Sequence, residues 1–154
     1  MASASPIISH DPLAARFAAL RARGRRALIP YVTAGYPSPD ATAALLDALA
    51  GAGADIIELG VPFSDPVADG PTIQRSSFHA LEQGVTVQWT LDCVRAFRSR
   101  HDVPVVLFSY LNPVLGYGVE RFIADAVDAG AAGVLLTDLP AGADPALERL
   151  LQES

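Results

Sequence analysis

Residues 56–71 read IIELGVPFSDPVADGP. The segment begins as an apolar strand, Ile56 and Ile57, admits one carboxylate at Glu58, and returns to Leu59. It then becomes a stiff loop with prolines at 62, 66 and 71 and acids at Asp65 and Asp69. Side chains alternate along a strand, so Ile56, Glu58 and Gly60 share one face while Ile57 and Leu59 take the other. If Ile57 and Leu59 pack under helices, Glu58 faces a barrel axis near its C-terminal mouth, where barrel enzymes carry their catalytic groups.

Three further segments repeat this strand-then-loop form: 27–33 (ALIPYVT), 104–110 (PVVLFSY) and 133–137 (GVLLT). Short apolar runs of this kind suit strands buried on both faces of a parallel sheet. Helical patterns separate them. Asp40 is expected to cap 41–53, with Leu45, Leu46 and Leu49 on its apolar side. Helices are also expected over 72–81, from Thr86 or Thr90 through Phe97, over 119–129, and after Asp144-Pro145; an opening helix spans 12–23. The stretch 103–119 reads as a strand followed by a loop broken at Asn112-Pro113. The segments AGADIIELGVP (52–62) and AGAAGVLLTDLP (129–140) echo one another, as repeated βα units do. The alternation predicts an α/β fold, the N-terminal half of a (β/α)8 TIM barrel, ending after the fourth βα unit of a form that takes about 250 residues. A small doubly wound sheet is the rival. The 154 residues read as one partial-barrel domain with a loosely ordered stretch at 1–11.

Composition narrows the function classes. Hydrophobic residues make up 51% of the chain, enough for a large core. Net charge −6 and a pI near 4.8 argue against nucleic acid and anionic membranes as partners. The 103–119 run is too interrupted to span a bilayer, and the N-terminus lacks the layout of a secretory signal. With one cysteine, Cys93, expected to be a buried inert thiol, a reducing, cytoplasmic location is the simple reading. All 11 basic residues are arginine, so a lysine Schiff base is unavailable. His10, His79 and His101 show no metal-ligand spacing and read as surface groups, and no metal site is expected.

Strand ends deliver Thr33, Glu58, Tyr110 and Asp138, which are expected at one level of the rim. Taken singly, most have ordinary readings. Asp138 or Thr33 alone is a cap or an arginine's partner, Asp69 a helix start, and Tyr31, Phe108 and Tyr110 core. Glu58 is different. It interrupts an apolar run with no fixed positive charge nearby in sequence, which suits general acid–base work.

The stretch ELGVPFSDPVADGPTIQ (58–74) closely resembles the signature of the tryptophan synthase alpha chain family, and PYVTAGYP (30–37), SYLNPV (109–114) and LLTDLP (135–140) extend the resemblance from about residue 12 onward. The resemblance implies a barrel that splits indole-3-glycerol phosphate into indole and glyceraldehyde 3-phosphate with no cofactor of its own. It implies that Glu58 is the acid–base residue and that Asp69 holds the indole N–H. Tyr31, Thr33, Ile73, Phe108, Tyr110 and Asp138 would line the indole side. Pro62, Asp65 and Pro66 would lie near a partner beta chain, which carries pyridoxal phosphate in an alpha2beta2 tetramer. The family's later half supplies a mobile glycine-rich loop and the phosphate-binding residues. The chain is therefore expected to be an N-terminal fragment, nearly inactive alone and prone to self-association through exposed strand edges. A non-catalytic module that docks on the beta chain and another phosphate-binding barrel enzyme are the alternatives.

Overall fold

The computed structural model describes residues 11–153. The expectation for the first ten residues lies outside that range; Asp11 caps the first helix, accepting the Leu13 and Ala14 amides at 2.9 and 3.1 Å. The elements run α1 (Pro12–Ala22), β1 (Tyr31–Thr33), α2 (Pro39–Gly51), β2 (Ile57–Gly60), α3 (Pro71–Glu82), α4 (Val87–Arg98), β3 (Val105–Ser109), α5 (Leu111–Tyr117), α6 (Val119–Ala129), β4 (Gly133–Leu136) and α7 (Pro145–Gln152). Proline opens α1, α2, α3 and α7, where its missing N–H costs nothing and its fixed φ suits the first turn.

All pairs of neighbouring strands are parallel, and the order is β1-β2-β3-β4. A doubly wound sheet reverses direction partway across; these strands do not, which is the winding of a barrel. Helices α2, α4 and α6 cover one face. Ile57, Leu59, Val105 and Leu107 are fully buried there with Leu46 of α2, Leu91, Val94 and Phe97 of α4, and Phe122 of α6. On the other face, Tyr31, Glu58, Val106 and Phe108 are half-buried and Leu135 is exposed. The period-two reading of β2 therefore holds.

Several local expectations change. Ser38, not Asp40, caps α2: its hydroxyl accepts the Ala41 amide at 3.2 Å, and Pro39 places the helix start one residue before the acid. Of the two starts expected for α4, Thr86 is the cap, accepting the Trp89 amide at 3.1 Å. The loop expected after β3 contains α5. Pro113 falls in its first turn, where a helix asks no intrahelical N–H bond of it. His101 is half-buried, stacked on Phe97 at 4.7 Å and bonded to Asp47 at 2.9 Å, so it joins α2 to the end of α4. Arg21, Arg23, Arg25 and Arg26 form a short exposed basic segment around the C-terminal end of α1, where the helix dipole favours cations.

One connection departs from a simple βα repeat. Between β2 and β3 lie two helices. α4 contacts α2 and α6 in the outer layer, whereas α3 contacts β1. The helix that follows the acid-bearing loop thus stands apart from the outer ring.

On α6, Phe122 is fully buried and Val127 is 55% exposed. Phe122→Ala should cost about 3–5 kcal/mol of unfolding free energy, and Val127→Ala no more than about 0.5 kcal/mol, both read from urea midpoints. Hydrogen bonding to Arg100, and secondarily to His101, holds the Asp47 carboxyl below the usual range. A depressed carboxyl contributes stability above its unfolded pKa and loses it as pH falls through the folded one. Acid unfolding of Asp47→Asn should lack that component of the low-pH stability loss.

Candidate active site

The register fixes the levels of the inner face. Tyr31 pairs with Glu58, Glu58 with Val106, and Val106 with Gly133. One step toward the C-terminal ends lie Thr33, Gly60, Phe108 and Leu135. Tyr110 and Asp138 come after the ends of β3 and β4. The side chains expected at the site are therefore staggered over successive levels rather than set on one rim, because each strand contributes an inward position only at every second residue.

Tyr31 leans from the Glu58 level over Gly60. A methyl at Gly60 would overlap the Tyr31 hydroxyl, so the phenol occupies the space where a side chain would stand. Its ring meets Phe108 edge-on at 5.3 Å. Burial pushes the Tyr31 phenol above its ordinary pKa, and the nearby charges of Asp69 and Glu58, with Tyr110, add to the shift against the Thr33 hydrogen bond. One phenol thus feels both acids.

Glu58 is half-buried, and its carboxylate has no hydrogen-bond or ion-pair partner among the described residues. Asp69 sits at the far end of the 61–70 loop, also half-buried. Its Oδ2 accepts the Tyr110 hydroxyl at 3.0 Å, and the same hydroxyl oxygen accepts the Ala68 amide at 2.9 Å. Tyr110 is 3% exposed. Burial is the main cause of its raised pKa, and Asp69 adds to it. Gln74 of α3 donates its side-chain amide to the Asp69 carbonyl at 2.9 Å, tying loop to helix. Phe63 packs on the Tyr110 ring at 5.3 Å. The loop is thereby held from below by Tyr110 and from behind by Gln74.

The other expected residues divide. Thr33 is buried and bonded to Ser76 of α3 at 2.7 Å. Ile73 is half-buried in the first turn of α3. Asp138 is exposed, and its Oδ1 accepts the Leu111 amide at 2.7 Å, so in this structure it serves the start of α5. Pro62 and Pro66 are buried in the loop and give it shape; its outer surface is Ser64, Asp65 and Val67, the last 85% exposed. Cys93 is half-buried rather than fully enclosed; burial raises its thiol pKa to about 11, as suits an inert group. Among the described residues, no three His, Cys, Asp or Glu side chains are grouped to hold a metal, and no helix is long and apolar enough to cross a membrane.

Gly60, Gln74 and Ser76 were missed as site residues. Gly60 and Gln74 lie inside the quoted motif, but only the fold reveals what approaches them. Ser76 offered one weak signal, a pair of small hydroxyl residues in mid-helix at Ser76-Ser77, where such residues need a reason.

Residues 17–154 match the tryptophan synthase alpha chain family. A relative described by that name from Methylibium petroleiphilum is 57% identical over 129 residues, which are 83% of this chain and 47% of the relative. One from Nitratidesulfovibrio vulgaris is 51% identical over 144 residues, 94% of this chain and 56% of the relative. The crystal structure of tryptophan synthase subunit alpha from Legionella pneumophila superposes with a TM-score of 0.89 at 41% identity, over 92% of this chain and 55% of that one. The chain spans about half the length of the curated relatives it matches.

Two outcomes follow from the packing. Tyr110→Phe should release the Ala68 amide and the Asp69 side chain, so hydrogen exchange at Ala68 should quicken while exchange in β2 stays unchanged. Gly60→Ala should cost about 1–3 kcal/mol by overpacking. Adding Tyr31→Ala should recover part of that cost, a non-additivity readable from urea midpoints.

Proposed function

The chain belongs to the tryptophan synthase alpha chain family, and from that membership we propose that the mouth of its sheet is the indole end of a site that splits indole-3-glycerol phosphate. The observation that carries this reading is the pair of half-buried carboxylates, Glu58 on the inward face of β2 and Asp69 on the loop that follows, oriented there by the Tyr110 hydroxyl.

Breaking the carbon–carbon bond requires a proton on indole C3 and a base on the side-chain hydroxyl. Asp69 would accept the indole N–H and offset the positive charge that protonation of C3 places on the ring. Glu58 would deliver the proton to C3, then take the hydroxyl proton as the bond breaks. The bonding pair returns to the ring, which departs as indole, and the former hydroxyl carbon becomes the aldehyde of glyceraldehyde 3-phosphate. Two carboxylates in different surroundings can divide such roles. Glu58, which has no hydrogen-bond partner, would move the protons, whereas Asp69 would be oriented by the Tyr110 hydroxyl. Each step is proton transfer or heterolysis, so no cofactor is called for.

Tyr31, Thr33, Ile73, Phe108 and Tyr110 would enclose the indole ring, with Asp138 bracing α5 at the edge. The loop surface at Asp65 and Val67 would meet a beta chain carrying pyridoxal phosphate, in an alpha2beta2 assembly through which indole passes. The cytoplasm is the compartment expected for such an enzyme. Barrels usually seat a substrate phosphate on the loops after strands 7 and 8, so four strands should bind the indole end without the phosphate end.

The test is indole release from indole-3-glycerol phosphate. The 154-residue chain alone should show little. Supplementing it with the second half of the Methylibium relative's barrel should raise the rate, and Glu58→Gln should lower that gain by about 10²–10⁴-fold. A complemented barrel indifferent to Glu58→Gln would overturn the reading. Stimulation of a beta chain that survives Glu58→Gln would favour the docking module instead.

A further inference from the structure

We propose that His79 is a positioning residue that acts on Asp69 from the far end of α3, so that the turn between β1 and α2 is a second control point of the mouth. The helix depends on such a hold. Its buried side chains are Ser76, Ser77 and Ala80, a smooth face that buries little apolar area and offers few ridges to interlock. Gly70 at its N-cap supplies no side-chain bond. Directed bonds are left to fix it, and they sit at its start, middle and end. Near the start, the Gln74 side-chain amide donates to the Asp69 carbonyl at 2.9 Å and reaches the Pro66 carbonyl at 3.5 Å. Midway, the Ser76 and Thr33 hydroxyls meet at 2.7 Å. At the end, two side chains one turn apart converge on a single acceptor: His79 Nε2 stands 3.1 Å and Gln83 Nε2 3.4 Å from the Pro37 carbonyl. A carbonyl can only accept, so His79 carries a proton on Nε2.

The turn that offers this carbonyl lies hard against α3. A methyl at Gly35 would overlap the Val85 side chain and stand 3.2 Å from the Ala80 Cβ. The Tyr36 ring meets the His79 ring edge-on at 5.8 Å. The backbone of this turn thus sets where the end of α3 can stand. Gln74 and His79 belong to one 12-residue helix, so a displacement at His79 reaches Gln74 as a tilt, and the Asp69 carbonyl through Gln74. The Asp69 side chain registers it, since its Oδ2 accepts the Tyr110 hydroxyl at 3.0 Å. His79 bonds to the Pro37 carbonyl and not to Asp69 or Tyr110; it acts through the helix. This deepens the proposed function and rests on the reading of Asp69 as holder of the indole N–H.

The hold can be read without substrate. In chain carrying ¹³C at the hydroxyl-bearing carbon of tyrosine, the Tyr110 signal is the one lost in Tyr110→Phe. His79→Ala should move that signal upfield, as a phenol shifts when its carboxylate acceptor withdraws. His79→Gln, which can still donate to the Pro37 carbonyl, should leave it in place. Gln74→Met, close in shape but without a donor, should give the upfield shift as well, and His79→Ala should add nothing to it in the double variant. A merely structural His79 would lower the urea midpoint and leave the Tyr110 signal where it was. That outcome, or an equal further shift when His79→Ala is added to Gln74→Met, would overturn the proposal. Gln83→Ala reads the same clamp should His79→Ala disturb the turn, with a smaller shift in keeping with its longer contact. Indole titrated into the same samples separates the two claims. Weaker binding in His79→Ala, restored in His79→Gln, supports both. A moved signal with unchanged binding upholds the positioning and counts against Asp69 as holder of the indole N–H. An unmoved signal in chain that still binds indole overturns the positioning alone.

Discussion

Parallel pairing in strict register is the constraint on which the rest depends. Because β1 to β4 run side by side without reversal, every inward position of one strand has an inward neighbour on the next. Ile57 and Leu59 are committed to the helices, and that commitment is what turns Glu58 inward. A slip of one residue would bury the carboxylate under α4 and expose two of the largest apolar side chains of the core. The acid is thus positioned by its neighbours' hydrophobicity, not by any bond of its own.

The second acid is held by the opposite strategy. Asp69 lies on a loop, where burial of neighbours gives little control, and its position comes from directed bonds. Tyr110 takes both the Asp69 carboxylate and the Ala68 amide, and Gln74 takes the Asp69 carbonyl. One carboxylate is thus fixed by a sheet and the other by hydrogen bonds. The contrast explains why the two would behave differently although they are the same functional group.

Much of this was legible in residues 56–71. The alternation of Ile57, Glu58 and Leu59 gave the face of each side chain, and parallel pairing followed from the repeated βα spacing, whereas the order of the strands, barrel or doubly wound, needed the fold. Other features were not legible, for identifiable reasons. The cap of α2 depends on where the chain emerges from a turn, so Ser38 displaced Asp40. Pro113 reads as a breaker in sequence but is tolerated in a first turn, which hid α5. The stagger of Thr33 and Glu58 needs the pairing of two strands, information that no single segment contains. Ser76 needed the approach of α3 to β1, a contact between residues 43 apart.

The pair of helices between β2 and β3 separates two kinds of demand. α4 carries the fully buried Leu91, Val94 and Phe97 and belongs to the scaffold; α3 contributes small buried residues, Ser76, Ser77 and Ala80, and leans on β1. Sequence drift should therefore reach the two unequally. Changes in α4 are judged by whether the protein folds at all, and changes in α3 by what the mouth will accept. A lineage could retune the mouth through α3 while its scaffold stands still, since the helix nearest the proposed site is not one of those that pack together as the outer layer.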